Sequence, residues 1–404
     1  MKVVIAHGGN IGFHGGGTNR VLAFAKALAE NGHEVYLVVP EPKGEVPYDI
    51  KKLVKIYSVP VKARSLWDQA FRAVLVSLKA KKLAEKEKAI LQIEHSTLGG
   101  IAASLGCSNY VLDIHDLEFD GPLYKSIPFA PKVIYALEKK AVRKARKIIV
   151  VSKPMKDLIV NEWNVPEEKI VIIPNGYFSK KLEKFNAVTV DEKEGLISFL
   201  GVLTHNVDYN KIISLAKSRK DAHIHVIGDG PMRTNFINKI KRENVKNVML
   251  HGFLPDDEAY SILAKSQVCI FPLINSVHTR VSMHMKTLDY AALGRAIATD
   301  RDATARIFEE HGAALVSDPA NPDEFIGNVH RLLDDGSLRK RLGEKARIIV
   351  KNFTWEKQGE KLVKMYENMG GLEHSQFYDE DRREIKVFEK DWNQNSCSNA
   401  SRGS

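Results

Sequence analysis

Two doubly wound α/β domains, each a parallel sheet with helices on both faces, are the fold class that this sequence predicts. Three observations point there. Short β-branched runs alternate with amphipathic helical stretches, the pattern of strand–helix–strand crossovers. The series runs once, gives way to a polar stretch at 179–194, and restarts. The length, 404 residues, suits two domains of about 100–200 residues each.

In chain order, Lys2-Val3-Val4-Ile5-Ala6 reads as the first strand. Val21, Leu22, Ala25, Leu28 and Ala29 then recur at helical spacing over 19–31, and Gly32 stops that helix as a left-handed cap. Further strands are expected at 34–39, 89–93, 110–114, 147–151 and 169–173. The polar segment 179–194 lacks apolar periodicity and reads as a linker. The second series has strands at 196–200, 223–227, 247–250, 268–272, 295–299 and 313–316, with helices between. The expected division is 1–178 and 179–353, then a helix at 354–370 and a flexible polar tail at 371–404. Open sheets of this kind take ligands at the carboxyl ends of their strands, so two facing domains put a site in the cleft between them.

Composition narrows the function classes. Apolar residues make 44% and charged residues 27%, which excludes a mainly disordered, collagen-like or coiled-coil chain. Cys107, Cys269 and Cys397 are scattered, with no CxxC, which suits a reducing compartment and gives no zinc spacing. No apolar run reaches the roughly 18 residues of a membrane span. The run Val3–Ala6 is too short for a signal peptide, so a cytoplasmic protein is expected. The net charge of +10 attracts polyanions. Without a reader motif or an aromatic array, nucleic acid is not an expected partner.

Four motifs carry candidate chemistry. After the first strand comes His7-Gly8-Gly9-Asn10-Ile11-Gly12-Phe13-His14-Gly15-Gly16-Gly17-Thr18, which is neither GxGxxG nor a P-loop. Its glycines let backbone N–H groups approach a ligand, and a helix starting near Thr18 or Asn19 favours an anion. A plain flexible turn is the competing reading. Asp113-Ile114-His115-Asp116 ends a predicted strand, where its side chains would face the cleft; a structural pair is equally compatible. Gly228-Asp229-Gly230-Pro231 makes a tight turn into a helix. Finally, Arg280 precedes a helix carrying Lys286, Thr287 and Asp289 and ending at Gly294. Lys286 and Asp289, three apart, share a helix face. One cation can then meet a diphosphate while the carboxylate accepts from a ribose diol, and Arg280 offers a second cation. An ordinary surface ion pair is the alternative.

Two basic helical stretches lie in the first half. Residues 64–88 mix Leu66, Trp67, Phe71, Leu75 and Leu78 with lysines, and 132–147 carry seven cations against the single acid Glu138. Such helices can lie on an anionic membrane surface; a solvated helix face over the core is the other reading.

Taken in order, the motifs resemble the GT-B glycosyltransferases, and within them the retaining glycosyltransferase family 4. The likeness runs through the glycine loop with Gly32-His33-Glu34-Val35, Asp113–Asp116, Val151-Ser152-Lys153, Ile173-Pro174-Asn175-Gly176 and Gly201. It continues through Gly228–Pro231, His251-Gly252-Phe253, Lys286–Gly294 and Phe353-Thr354-Trp355. The resemblance implies two Rossmann-like domains facing across a cleft. Domain 1–178 would bind the acceptor and 179–353 the nucleotide sugar, and the helix at 354–370 would cross back. It implies that Asp289 holds the nucleotide ribose, that Lys286 contacts donor phosphate, and that His115 lies near the transferred sugar. Gly16 and Gly17 would border the phosphates. Thr18, Gly201, Gly228, Asp229 and Thr287 complete the expected donor-side set.

The implied reaction moves a hexosyl group from a nucleotide diphosphate sugar to a glycan or lipid-linked acceptor, with retention and without a metal or other cofactor. The expected location is the cytoplasm, peripheral to a membrane. The family's first motif glutamate is Val281 here, and the second is Asp289. No Arg or Lys stands in Gly201–Asn206, so Lys211 or, by preference, Arg280 would replace the usual cations. Two other readings remain open: another GT-B chemistry such as a sugar-nucleotide epimerase or phosphorylase, and a non-catalytic sugar-nucleotide-binding or scaffold protein, which Val281 favours.

Overall fold

A strand covered on both faces needs apolar residues at every position rather than every second one. Val3 to Ala6 are buried in this way, and so is Tyr110–Ile114 apart from the charged Asp113. A computed structural model, which describes residues 1–12, 15–60, 66–125, 127–186 and 191–370, builds two sheets from such strands. The expected tail at 371–404 lies outside the described residues.

The first series is β1 (Lys2–Ala6), α1 (Gly16–Glu30), β2 (Glu34–Pro40), α2 (Tyr48–Leu53), β3 (Lys55–Val59), α3 (Leu66–Glu87) and β4 (Ile90–Glu94). It continues with α4 (Ser96–Ser104), β5 (Tyr110–Ile114), α5 (Pro122–Lys125), α6 (Ala130–Lys144), β6 (Ala145–Val150), α7 (Lys153–Trp163) and β7 (Ile170–Ile172). After α8 (Ser179–Asn186) the second series runs β8 (Lys193–Leu200), α9 (Tyr209–Ser218), β9 (His223–Ile227), α10 (Arg233–Arg242), β10 (Val248–Gly252), α11 (Asp256–Ala264) and β11 (Ser266–Phe271). It closes with α12 (Val277–Val281), α13 (Lys286–Ala292), β12 (Ala296–Asp300), α14 (Ala303–Glu310), β13 (Leu315–Ser317), α15 (Pro322–Asp334), α16 (Gly336–Ile349) and α17 (Trp355–Gly370).

Every strand pairing within the two sheets is parallel. The first sheet has the order β3-β2-β1-β4-β5-β6-β7 and the second β10-β9-β8-β11-β12-β13. Each order reverses once, between β1 and β4 and between β8 and β11. At such a reversal the crossovers leave in opposite directions and open a crevice at the carboxyl ends.

Three elements differ from expectation. β3 was not anticipated: it is an edge strand with Lys55 and Ser58 exposed, so it carries no continuous apolar run. The stretch expected to be a linker contains α8, which docks through buried Leu182 and through Phe185 against Tyr260, with ring centroids 5.8 Å apart. Two apolar residues give too little periodicity to announce a helix. α1 starts at Gly16, earlier than Thr18, because Gly15 turns the chain in extended conformation just before it. Residues Met1–Leu362 form one unit by their internal contacts, and the chain from Val363, the second half of α17 among the described residues, forms another. Among the described residues no helix is long and apolar enough to cross a membrane.

Candidate active site

The glycine loop is held by one side chain. Asn10 Oδ1 accepts the N–H groups of Gly12 at 3.0 Å and Lys43 at 2.9 Å, and its Nδ2 donates to the Lys43 carbonyl. Thr18 Oγ1 donates to the Asn10 carbonyl at 3.2 Å. Gly15 gives α1 no side-chain cap, so its first N–H groups, at Gly16, Gly17 and Thr18, are the donors a helix leaves unpaired at its amino end. Gly17 lies against His115: a Cβ there would stand 3.0 Å from His115 Nε2. The structure therefore brings Gly16, Gly17, Thr18 and His115 together.

His115 is the first residue past β5. Burial drives its pKa down to about 3, so the ring is neutral. Asp113 does not face a cleft as expected. It is fully buried in an ion pair with Arg20, at 2.8 Å, and Arg20 also donates to Asn175 Oδ1, Pro174 O and Ile173 O. Arg20 lies one turn from Phe24 and two from Leu28 on the buried stripe of α1, with its guanidinium 4.4 Å from the Phe24 ring centroid. A lone cation in an apolar row was the signal that could have found this pair.

In the second lobe, Gly201 and Gly228 have a packing role. Gly201 N–H donates to Ile227 O and Gly228 N–H to Gly252 O, and Gly228 has φ +131 with no room for a Cβ beside the Gly201 carbonyl. Only glycine meets both demands. Asp229 is exposed, and its Oδ1 accepts the Gly230 N–H at 2.7 Å. Lys211 is not a site cation: its Nζ is buried against Asp300 Oδ2 at 2.7 Å and Pro319 O at 3.0 Å.

α13 hangs at the second strand-order reversal by Tyr290. Its hydroxyl accepts the Leu200 N–H at 2.8 Å and lies 3.3 Å from Ile270 O, touching the ends of both β8 and β11. Lys286 Nζ lies 3.4 Å from Asp289 Oδ2, with the Lys286 side chain 32% exposed and Asp289 buried. Burial raises the Asp289 pKa above the ordinary carboxylate value, and the Lys286 ammonium opposes that rise. Thr287 is buried, and its Oγ1 has no hydrogen-bond partner among the described residues. Arg280 is exposed on α12 and is not joined to the Lys286–Asp289 pair.

The segment from α12 to α13 is tied to the first lobe. Val277 N–H donates to Asp120 Oδ2 at 2.6 Å, His278 Nδ1 lies 2.8 Å from Leu117 O, Ser152 Oγ donates to Val281 O at 2.6 Å, and Asn175 Nδ2 donates to Met283 O at 2.8 Å. Val281 itself is buried. His284 Nδ1 meets Asp302 Oδ2 at 2.7 Å; burial opposes its charge, but Asp302, with Asp116 from the first lobe, raises its pKa overall. Sequence reasoning had passed over His7, Asn10, His95, Tyr290 and His284 as individual site residues. Among the described residues no three His, Cys, Asp or Glu side chains converge as a metal site would require.

Two Rossmann-like parallel-sheet lobes with loops meeting at their carboxyl ends define a GT-B fold. Solved structures agree. Sucrose-phosphate synthase from Thermosynechococcus elongatus superimposes with a TM-score of 0.75 at 15% identity, covering 91% of this chain and 98% of its own. Anabaena HepE, solved in complex with UDP-glucose, has a TM-score of 0.67 at 12% identity, covering 91% of this chain and all of its own. The family models described as Glycosyltransferase Family 4 and Glycosyl transferases group 1 match residues 14–178 and 180–349. The chain therefore belongs to the family 4-like GT-B glycosyltransferases. An uncharacterized glycosyltransferase of Methanocaldococcus jannaschii is 23% identical over 371 residues, 85% of this chain and 91% of the relative.

Proposed function

We propose that this glycosyltransferase moves a hexosyl group from a nucleoside diphosphate sugar to a glycan or lipid-linked acceptor, with retention of configuration and without a metal. The observation that carries the reading is the Lys286–Asp289 pair, one ammonium partly open to solvent beside one buried carboxylate, on a helix suspended at the second strand-order reversal. The UDP-glucose bound to the structurally similar HepE supports a nucleotide sugar as donor.

In this reading Asp289 accepts hydrogen bonds from the ribose diol. Lys286, Arg280 and the open amino end of α1 take up the negative charge that grows on the diphosphate, so protein groups do what a metal ion otherwise does. Thr18, Gly201, Gly228, Asp229 and Thr287 border the donor. The bond from the anomeric carbon to the phosphate oxygen breaks as the acceptor oxygen bonds to the same face. The acceptor proton passes to the departing phosphate oxygen. Neutral His115, beside Gly17, orients the sugar.

The acceptor side has its own support. Glu138, the single acid of the basic stretch, is turned inward, where it accepts from Ser96 Oγ at 2.7 Å and the Glu118 N–H at 2.8 Å. The outer face of α6 is left with Lys132, Lys140, Arg143 and Lys144, and with exposed Phe129 and Val133 at its start. That face suits an anionic membrane carrying a lipid-linked acceptor.

Thermal shift with UDP-, GDP- and ADP-sugars identifies the donor, and release of nucleoside diphosphate only when acceptor is present identifies the reaction. Lys286→Ala is expected to lower kcat/KM by about 100-fold or more with unchanged circular dichroism. Normal turnover in that variant would remove Lys286 from the mechanism.

A further inference from the structure

The loop between α12 and α13 is fixed to the start of α14. Asp302 caps α14 by accepting the Ala305 N–H on Oδ1 at 2.6 Å, and its Oδ2 lies 2.7 Å from His284 Nδ1. Ala303 N–H donates to Ser282 O at 3.3 Å, and Thr304 Oγ1 donates to His284 O at 3.0 Å. Residues 302–304 thus hold the backbone around His284 and aim its ring. That ring lies beside Phe271, the last residue of β11, with centroids 5.2 Å apart. Its second nitrogen, Nε2, has no hydrogen-bond partner among the described residues, and the side chain is 19% exposed.

We propose that His284, oriented by Asp302, is a catalytic residue of the donor site whose Nε2–H meets the diphosphate of the nucleotide sugar beside Lys286. The proposal rests on the transferase reading above and deepens it, naming a further cation for the leaving group.

Position favours it. His284 precedes Lys286 by two residues, so their Cα atoms lie within about 7 Å, and both belong to the segment that Tyr290 anchors at the second strand-order reversal. Asp116 of the first lobe acts on the charge of His284. Asp116 follows His115, whose ring lies against Gly17 at the open end of α1. His284 therefore faces the gap that the glycine loop borders. Val281 offers nothing there: its side chain is buried and its carbonyl accepts from Ser152.

The chemistry favours an anion. Phosphate oxygens only accept, and an imidazolium can donate from Nε2 while Nδ1–H stays on Asp302. Burial opposes that charge, but the hydrogen bond to Asp302 and the nearby Asp116 outweigh it and set the pKa above the ordinary histidine value. Asp302 from α14 and Asp116 from the first lobe are the acids that face the ring. Lys286 is the cation on its own segment, and β11 adds only the uncharged Phe271. A neutral ring would leave two carboxylates to repel a diphosphate. The imidazolium keeps its proton through turnover. The acceptor proton still passes to the departing phosphate oxygen, and His284 lowers the cost of the charge that grows on it.

Calorimetric titration of the full chain with UDP-glucose, GDP-mannose and ADP-glucose, whose diphosphates do not titrate near neutrality, tests the proposal. At least one is expected to bind the wild type, with Kd rising about tenfold from pH 6 to pH 8.5 as the imidazolium loses its proton. His284→Gln keeps a side-chain donor without the charge. Its Kd at pH 6 is expected to be about tenfold above that of the wild type and constant over the same range. Asp302→Asn retains a cap for α14 and is expected to move the titration to lower pH, which a purely structural Asp302 would not do. Equal Kd and equal pH dependence in wild type and His284→Gln, or a loss in that variant of the same size at both pH values, would overturn the role of His284 and leave the donor reading standing. Failure of every nucleotide sugar to bind the wild type would overturn both.

Discussion

A histidine at a strand end is neutral or charged according to what faces it. His115 and His7 meet mainly apolar burial and stay neutral, whereas His95 and His284 each meet a carboxylate that more than offsets the cost of burial. The His7 pKa of about 4, against 6.5 in a free side chain, has a consequence for stability. Between those values the unfolded chain binds a proton that the folded one refuses. Its contribution is therefore complete above pH 6.5 and is lost as the pH falls toward 4, on the order of 3 kcal/mol in all. His7→Gln removes this titration, so its urea midpoint is expected to fall less between pH 7 and pH 4.5 than that of the wild type. An equal fall in both proteins would contradict the assignment. At this scale the sequence singles out His115, Lys286 and Asp289 because each lies inside an ordered motif. It does not single out Arg20 and Tyr290, since each acts through a partner remote in the chain.

At the scale of elements, α6 connects two roles. Its inner face packs on α4, where Gly99 and Gly100 let the backbones approach; a Cβ at Gly100 would stand 2.6 Å from the Leu137 carbonyl carbon. Gly100→Ala is expected to cost about 1–3 kcal/mol, read from the denaturant midpoint. Wild-type stability would mean that α6 moves aside freely. The outer face has a concavity of about 460 Å³ lined by Tyr135, Ala136, Lys139, Lys140, Arg143 and Lys144, none of them a residue of the donor site. Reversing Lys139, Lys140 and Arg143 together to Glu is expected to abolish sedimentation with phosphatidylglycerol-containing vesicles while leaving the fold intact. Undiminished sedimentation would exclude this face as the contact. The basic character of α6 was legible from composition, but the inward turn of Glu138, which leaves only cations among the charged groups of the outer face, needed the Ser96 hydroxyl and the Glu118 backbone N–H to be in place. β3 and α8 were missed for a shared reason: each has too few buried side chains to leave a period.

For the molecule as a whole, the chain returns to the first lobe at Trp355. That ring is buried edge-on against Phe24 of α1, with centroids 6.0 Å apart, and the Trp355 backbone N–H donates to Tyr177 O while Tyr177 N–H donates to Phe353 O. Trp355→Ala is expected to cost about 3–5 kcal/mol and to divide one calorimetric unfolding transition into two, because α1 and the start of α17 would lose their shared packing. A single transition in the variant would mean that the α12 contacts with Asp120, Leu117 and Ser152 suffice to hold the lobes together.

The sequence by itself determined the two parallel sheets, their place in the chain and the ordered motifs. Each of these is local: an apolar run long enough to be covered on both faces, a helix of fixed period, a glycine where the backbone must turn. Tertiary structure alone decided which polar groups meet. The strand order sets β4 beside β1 rather than beside β3, and that choice brings His7, His95 and His115 to one edge. Packing within each lobe likewise retires Asp113 and Lys211 into buried ion pairs. Convergence of this kind depends on chain paths between distant residues, and no short stretch of sequence carries that information.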